Sequence, residues 1–100
     1  MTFESALFYT IPITFFSITN VVIVPGETNA TIAWQTTAPG TTQVQYGTNS
    51  SLGNSTPNDA TMVTNHFVTL TNLQPQTIYY IRLVSSDSVG PNTYDATFST

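Results

Sequence analysis

A chain of 100 residues, 40% of them hydrophobic, has material for one domain around one core. Only 6% are charged, with a single Lys or Arg and a formal net charge of −4, which excludes the clustered cations that phosphate backbones and anionic membrane surfaces require. There is no cysteine, so the core must hold without disulfides, and no apolar run reaches the ~18 residues that would span a bilayer.

Helical periodicity is missing. Short runs rich in Val, Ile, Thr, Tyr and Phe alternate instead with clusters of Gly, Pro, Asn and Asp, the pattern of an all-β chain. In chain order, Tyr9, Ile11, Ile13 and Phe15 alternate with Thr10, Pro12 and Thr14, giving a strand with one apolar face. Pro12 cannot donate to a ladder, so this strand belongs at an edge. Residues 17–24 form the next strand, apolar on both faces at Val21, Val22, Ile23 and Val24 and closed by Pro25-Gly26. Ala30, Ile32 and Trp34 then alternate with Thr31, Ala33 and Gln35. A turn is expected at Pro39-Gly40, before Val44 and Tyr46 alternate with Gln43 and Gln45.

Residues 47–59 read as a polar loop, and a short strand is expected over residues 60–64. Val68 and Leu70 face one way and Thr69 and Thr71 the other, with a turn at Leu73-Gln74-Pro75. Tyr79, Ile81 and Leu83 face in while Tyr80, Arg82 and Val84 face out. After a loop over residues 86–92, Tyr94, Ala96 and Phe98 make the last strand. Seven or eight short strands so spaced predict a two-sheet sandwich. Its core is predicted to hold Ile32, Trp34, Val44, Tyr46, Leu70, Tyr79, Ile81, Leu83 and Phe98.

The stretch "NATIAWQTTAPGTTQVQYGT" resembles strands B and C of fibronectin type III domains of the bacterial and phage type, and "HFVTLTNLQPQTIYYIRLVSSD" resembles strands E and F. The resemblance covers about residues 17–100. It implies an all-β immunoglobulin-like sandwich, with Trp34 as the core tryptophan and Leu73, Pro75 and Tyr79 as the signature of the E–F corner. The Tyr79 hydroxyl would bond back to the backbone there. The fold itself carries many unrelated roles.

No reaction is written in the residues. His66 is the only histidine and is expected as an ordinary polar residue ahead of a strand. Asp59, Asp87 and Asp95 lie on separate segments rather than in an oxygen-rich loop, so turn residues in solvent are expected rather than a calcium site. No nucleophile elbow and no phosphate-binding loop occur. The chain is therefore expected to have no catalytic, cofactor or metal site and not to be an enzyme. Outward Tyr80 and Val84 offer a minor carbohydrate platform or support for a neighbouring strand.

The departure from the sandwich pattern is the segment 1–16. Phe8, Tyr9, Ile11, Ile13, Phe15 and Phe16 are too many apolar groups for a solvated tail, since each buried Phe or Ile contributes about 1.5–3 kcal/mol. Either this segment adds a strand to its own sandwich, or it is an arm that docks on a neighbour by strand addition, and the second is favoured. Without a basic n-region or a small-residue cleavage site, the N-terminus does not read as a secretory leader. The expectation from the sequence is a virion structural component such as a capsid decoration (cement) protein on the capsid surface. The arm would bind copies of the chain and a capsid or other assembly subunit. The alternative is an extracellular spacer or carbohydrate-binding module of a secreted bacterial hydrolase or adhesin.

Overall fold

The computed structural model describes residues 16–100, which form an all-β, two-layer immunoglobulin-like sandwich. The strands are β1 (Ile18–Pro25), β2 (Ala30–Gly47), β3 (Asn54–Ser55), β4 (Asp59–Leu70), β5 (Ile78–Ser86) and β6 (Pro91–Ser99), and every pairing is antiparallel. The first half of β2 lies between β1 and β4. Its second half pairs with β3 and β5, and β6 completes that sheet beyond β5. One strand thus serves both layers, and the sheet curls over itself.

The break expected at Pro39-Gly40 is instead a continuous extended passage within β2, marked by register shifts between Gln35, Gly40 and Thr42. Gly40 suits the passage. A Cβ there would lie 2.5 Å from Phe16 Cζ and 3.3 Å from the Ser86 carbonyl oxygen, so a side chain at this position would have to displace the Phe16 ring. The short strand expected over 60–64 and the one holding Val68 and Leu70 are likewise a single strand, β4. The polar stretch 47–59 contains β3, which pairs Ser55 with Gln45 and Asn54 with Tyr46.

The double-faced run Val21 to Val24 is resolved by a bulge. The β1–β2 register shifts between Thr19 and Val22, with Asn20 at φ 53°, a conformation that asparagine tolerates better than most residues. The extra residue resets the alternation, so Ile18, Val21 and Ile23 all pack on the core while Val22 and Val24 turn outward.

Ile32, Trp34, Val44, Leu70, Tyr79, Ile81, Leu83 and Phe98 are buried together as the alternation predicts, with Ala30 and Leu73 added and Tyr46 half-buried against them. The Tyr79 and Phe98 rings stack at 5.7 Å. At the β4–β5 corner the Gln74 N–H donates to Tyr79 Oη at 2.8 Å, the bond implied by the Leu73, Pro75, Tyr79 pattern. Asn72 and Gln76 flank it with positive φ, and the Leu73 N–H donates to the Thr28 carbonyl at 2.9 Å.

Trp34 sits at the centre of this core and donates from Nε1 to Ser85 Oγ across the two layers at 3.0 Å. Trp34→Ala is expected to cost about 3–5 kcal/mol as a large-to-small core change. Trp34→Phe, which keeps most of the apolar volume but orphans the buried Ser85 hydroxyl, is expected to cost about 1–3 kcal/mol. Urea unfolding followed by circular dichroism measures both. Indole fluorescence that acrylamide quenches freely in the folded wild type would contradict the burial.

Candidate interaction surface

Of the chemistry-bearing side chains, His66 departs most from its expected place. It is not an exposed residue ahead of a strand but a member of β4, 3% exposed, on the core side opposite Trp34. The alternation that puts Val68 and Leu70 inward also puts His66 inward, and Trp34 provides a ring to cover it, stacked at 5.1 Å and 9°. Both ring nitrogens have partners, Nε2 with Thr36 Oγ1 at 3.0 Å and Nδ1 with Thr42 Oγ1 at 2.6 Å.

The Thr36 hydroxyl donates to the Ala38 carbonyl at 2.7 Å, so its oxygen is left to accept from His66 Nε2–H. Nδ1 then accepts from Thr42. The network assigns one neutral tautomer, and burial pushes the imidazole pKa below its ordinary value. The ring and both threonine hydroxyls that hold it are buried, so the cluster is enclosed within the sandwich.

Of the three aspartates expected in turns, Asp87 lies in the β5–β6 loop, whereas Asp59 opens β4 and Asp95 stands within β6, and each has a partner. Asp59 Oδ1 accepts from the Thr61 N–H at 3.0 Å, which holds that carboxyl below its usual value. Asp87 Oδ1 accepts from the N–H groups of Val89 at 3.0 Å and Gly90 at 3.2 Å. Asp95 takes both arms of Arg82, at 2.7 and 3.2 Å, and its pKa is lowered by those bonds. Among the described residues no group of three or more His, Cys, Asp or Glu is placed to hold a metal ion.

The two outer faces differ. On the β3–β2–β5–β6 sheet, Gln43, Gln45, Tyr80, Arg82, Val84, Asp95 and Thr97 point outward. A shallow groove lined by Ser50, Leu52, Tyr80, Arg82, Asp95 and Thr97 crosses that face. Tyr80 stands beside the Arg82–Asp95 pair rather than on an open aromatic platform.

The β1–β2–β4 sheet is built in rows across its three strands. Asn20 Nδ2 donates to Gln35 Oε1 at 2.5 Å, and Gln35 Nε2 donates to Asn65 Oδ1 at 2.9 Å. The next row is Val22, Ala33 and Phe67, in register, and the row beyond includes Val24, Thr31 and Thr69. Phe67 is 67% exposed, Val24 58% and Val22 54%. No charged residue stands in these rows.

Of the arm residues, Phe8, Tyr9, Ile11, Ile13 and Phe15 lie outside the described residues. Phe16 is half-buried, its ring against Gly40, and Ser17 is bonded to Thr37 through its N–H at 2.9 Å and its carbonyl at 3.1 Å. The apolar row on the first sheet is a feature that the sequence analysis did not single out. Phe67 was within reach of it, because strict alternation with Val68 turns it outward. The outward setting of Val22 and Val24 depends on the bulge at Asn20, which period-2 reading does not reveal.

Residues 16–100 thus form an immunoglobulin-like β-sandwich whose β1–β2–β4 face carries exposed Val22, Val24 and Phe67 and no charged residue in those rows. A family model described as "Purple acid Phosphatase, N-terminal domain" matches residues 18–100, and the chain belongs to that family. A solved structure from the computer-based redesign of a β-sandwich protein superposes with a TM-score of 0.63 at 27% identity, covering 83% of this chain and 92% of the other. No curated protein matches the chain significantly.

The His66 setting has a sign. Its folded-state pKa lies below the unfolded value of about 6.5. The unfolded chain therefore takes up the proton first as pH falls. Stability is full above about pH 6.5 and declines from there down to the folded-state pKa, ahead of the carboxylate losses that begin lower. Thermal melts between pH 8 and 5 are expected to show this decline in the wild type and to lose that component in His66→Gln. A His66 Cε1 proton resonance titrating at or above pH 6.5 in the folded protein would contradict the reading.

Proposed function

We propose that the chain is a non-enzymatic structural and interaction module: a fibronectin type III-like sandwich that joins protein partners through uncharged surface. The observation that supports this most directly is the Val22, Ala33 and Phe67 row beside Val24, solvent-facing apolar groups on the outside of an otherwise well-packed sandwich. Exposed apolar groups gathered on one face mark association surfaces. The fibronectin type III form of the reading draws support from the tyrosine bond at the β4–β5 corner and from a strand order that divides β1, β2 and β4 from β3, β2, β5 and β6.

Two settings suit such a module. In a virion, as a capsid decoration protein, it would bind copies of itself and a capsid subunit, with the apolar N-terminal segment as anchor. The low charge and the uncharged face favour dense packing of copies. As an accessory module, it would stand beside a catalytic domain, and the family match to an N-terminal domain of purple acid phosphatase favours this setting. The gene neighbourhood separates the two: a major capsid gene beside it supports the first, and a metallophosphatase domain in the same reading frame the second.

The purified full chain is expected to release no phosphate from p-nitrophenyl phosphate, with or without added iron, zinc or manganese, because His66 is enclosed and the three aspartates are apart. Turnover abolished by His66→Ala or Asp95→Ala would overturn the non-enzymatic reading.

A further inference from the structure

We propose that the outer groove of the β3–β2–β5–β6 sheet is a carbohydrate-binding site for an extended, uncharged oligosaccharide laid across the strands. It does not use the Val22–Ala33–Phe67 row on the other sheet. The carbohydrate site and the protein-joining role can therefore fail independently.

The polar row along the groove is the first observation. Ser55, Gln45, Arg82 and Asp95 stand opposite one another in register, one on each of β3, β2, β5 and β6. Neighbouring strands lie about 4.8 Å apart, so the row runs about 14 Å across the face, room for more than one sugar ring. Arg82 donates from Nε and Nη2 to the two Asp95 oxygens at 2.7 and 3.2 Å, which fixes the fork and offsets its charge. Arg82 Nη1 and the Gln45 side-chain amide bond to no other described residue. Donors on Arg82 and Gln45 thus stand beside acceptors on Asp95 and Gln45. Hydroxyls both donate and accept, so they match every position of such a row. A phosphate or carboxylate matches only the donors.

The wall of the groove is the second. Gly47 is paired with Tyr80, so a Cβ on it would point to the same outer face, where it would collide with the Leu52 backbone. The bare glycine lets the loop after β2 lie directly on the sheet. Leu52 stands there at φ 67°, a conformation rare for a bulky residue. Its N–H donates to the Asn49 carbonyl at 3.0 Å, and the Gly53 N–H donates to the Ser51 carbonyl at 2.8 Å. Ser50 and Leu52 thereby form a side wall beside Tyr80 and Arg82, and the hollow continues past them to Asn54 and Ser55. The Tyr80 ring is 39% exposed. An aromatic ring and an apolar wall receive the C–H face of a sugar ring while the polar row takes its hydroxyls.

The third is what the floor withholds. Peptides that join a sheet do so at an edge, through unpaired backbone groups. At Gln45 and Arg82 both β2 and β5 are paired on each side, and the groove crosses the strands rather than following them. Only side chains are on offer, which suits a sugar better than an extended peptide.

The test titrates the ¹⁵N-labelled full chain with cellohexaose, chitohexaose and mannohexaose in turn, followed by ¹H–¹⁵N spectra. At least one probe is expected to move the signals of Gln45, Leu52, Tyr80 and Arg82 with a Kd of about 1 mM or tighter, as an open, shallow site gives. Binding is expected to be equal at about 50 and about 500 mM sodium chloride, because the ligand is uncharged. Tyr80→Ala and Arg82→Met are each expected to weaken it about tenfold or more. Both side chains face solvent, so the melting temperature and the core signals of the variants are expected to match the wild type.

Three results would overturn the proposal. The first is that none of the probes moves these signals at about 10 mM, well above the expected Kd. The second is binding that survives both substitutions, which puts the sugar elsewhere. The third is an uncharged Ser/Thr-rich peptide that moves the same signals when no sugar does, which makes the groove a protein-docking surface.

Discussion

Everything in the sandwich depends on β2 being shared by both layers, and the shared strand depends on how its crossing is sealed. Between Thr36 and Thr42 the chain passes from one sheet to the other, and the groups that meet at that end of the core are polar. Four of them, Thr36, Thr42, His66 and Ser85, are buried together with the Trp34 indole N–H. An unsatisfied buried polar group costs about 1–3 kcal/mol, so several left open would consume a large part of a small domain's stability. Here they close on one another. Trp34 donates to Ser85, His66 bridges Thr36 and Thr42, and the indole lies flat on the imidazole. The Trp34–Ser85 bond ties the two layers, so the seal also fixes how the sheets sit on each other.

This explains why the core was legible in the sequence and the crossing was not. Alternation places Ile32, Trp34, Val44, Ile81 and Leu83 correctly because each is decided by its own strand. Whether residues 36–42 turn or run on is decided by what surrounds Gly40, and Phe16 and the Ser86 carbonyl are remote in sequence. Local turn chemistry at Pro39-Gly40 pointed to a break, and tertiary packing overrode it. His66 shows the same limit in another form. Its inward setting follows from Val68 and Leu70, but a lone histidine reads as surface until Thr36, Thr42 and Trp34 are known to surround it.

The candidate surface was legible by half. Tyr80, Arg82 and Val84 face outward as the alternation requires, but their face is occupied by the Arg82–Asp95 pair and the loop at Ser50 and Leu52. On the other sheet, one inserted residue at Asn20 decides which of the four consecutive apolar residues are spent on the core and which are left outside. Without the bulge, Val22 and Val24 would share a face with Ile18, and Val21 and Ile23 would point to solvent. A bulge is thus both a packing solution and the origin of the exposed row.

Core and surface answer to different conditions. The outer rows of the first sheet hold amides, threonines, valines, alanine and phenylalanine, with no titratable side chain, so neither pH nor salt alters the charge of that face. Acid reaches the molecule through His66, which lies inside and bonds Thr36 and Thr42 at the crossing of β2. Loss of that neutral ring weakens the sandwich as a whole, while the apolar row keeps its character for as long as the sheet beneath it is folded. A surface nearly free of charge has few electrostatic means of refusing partners. Discrimination on it must come from shape, from the bonded amide row along one side, and from the side chains that reach it.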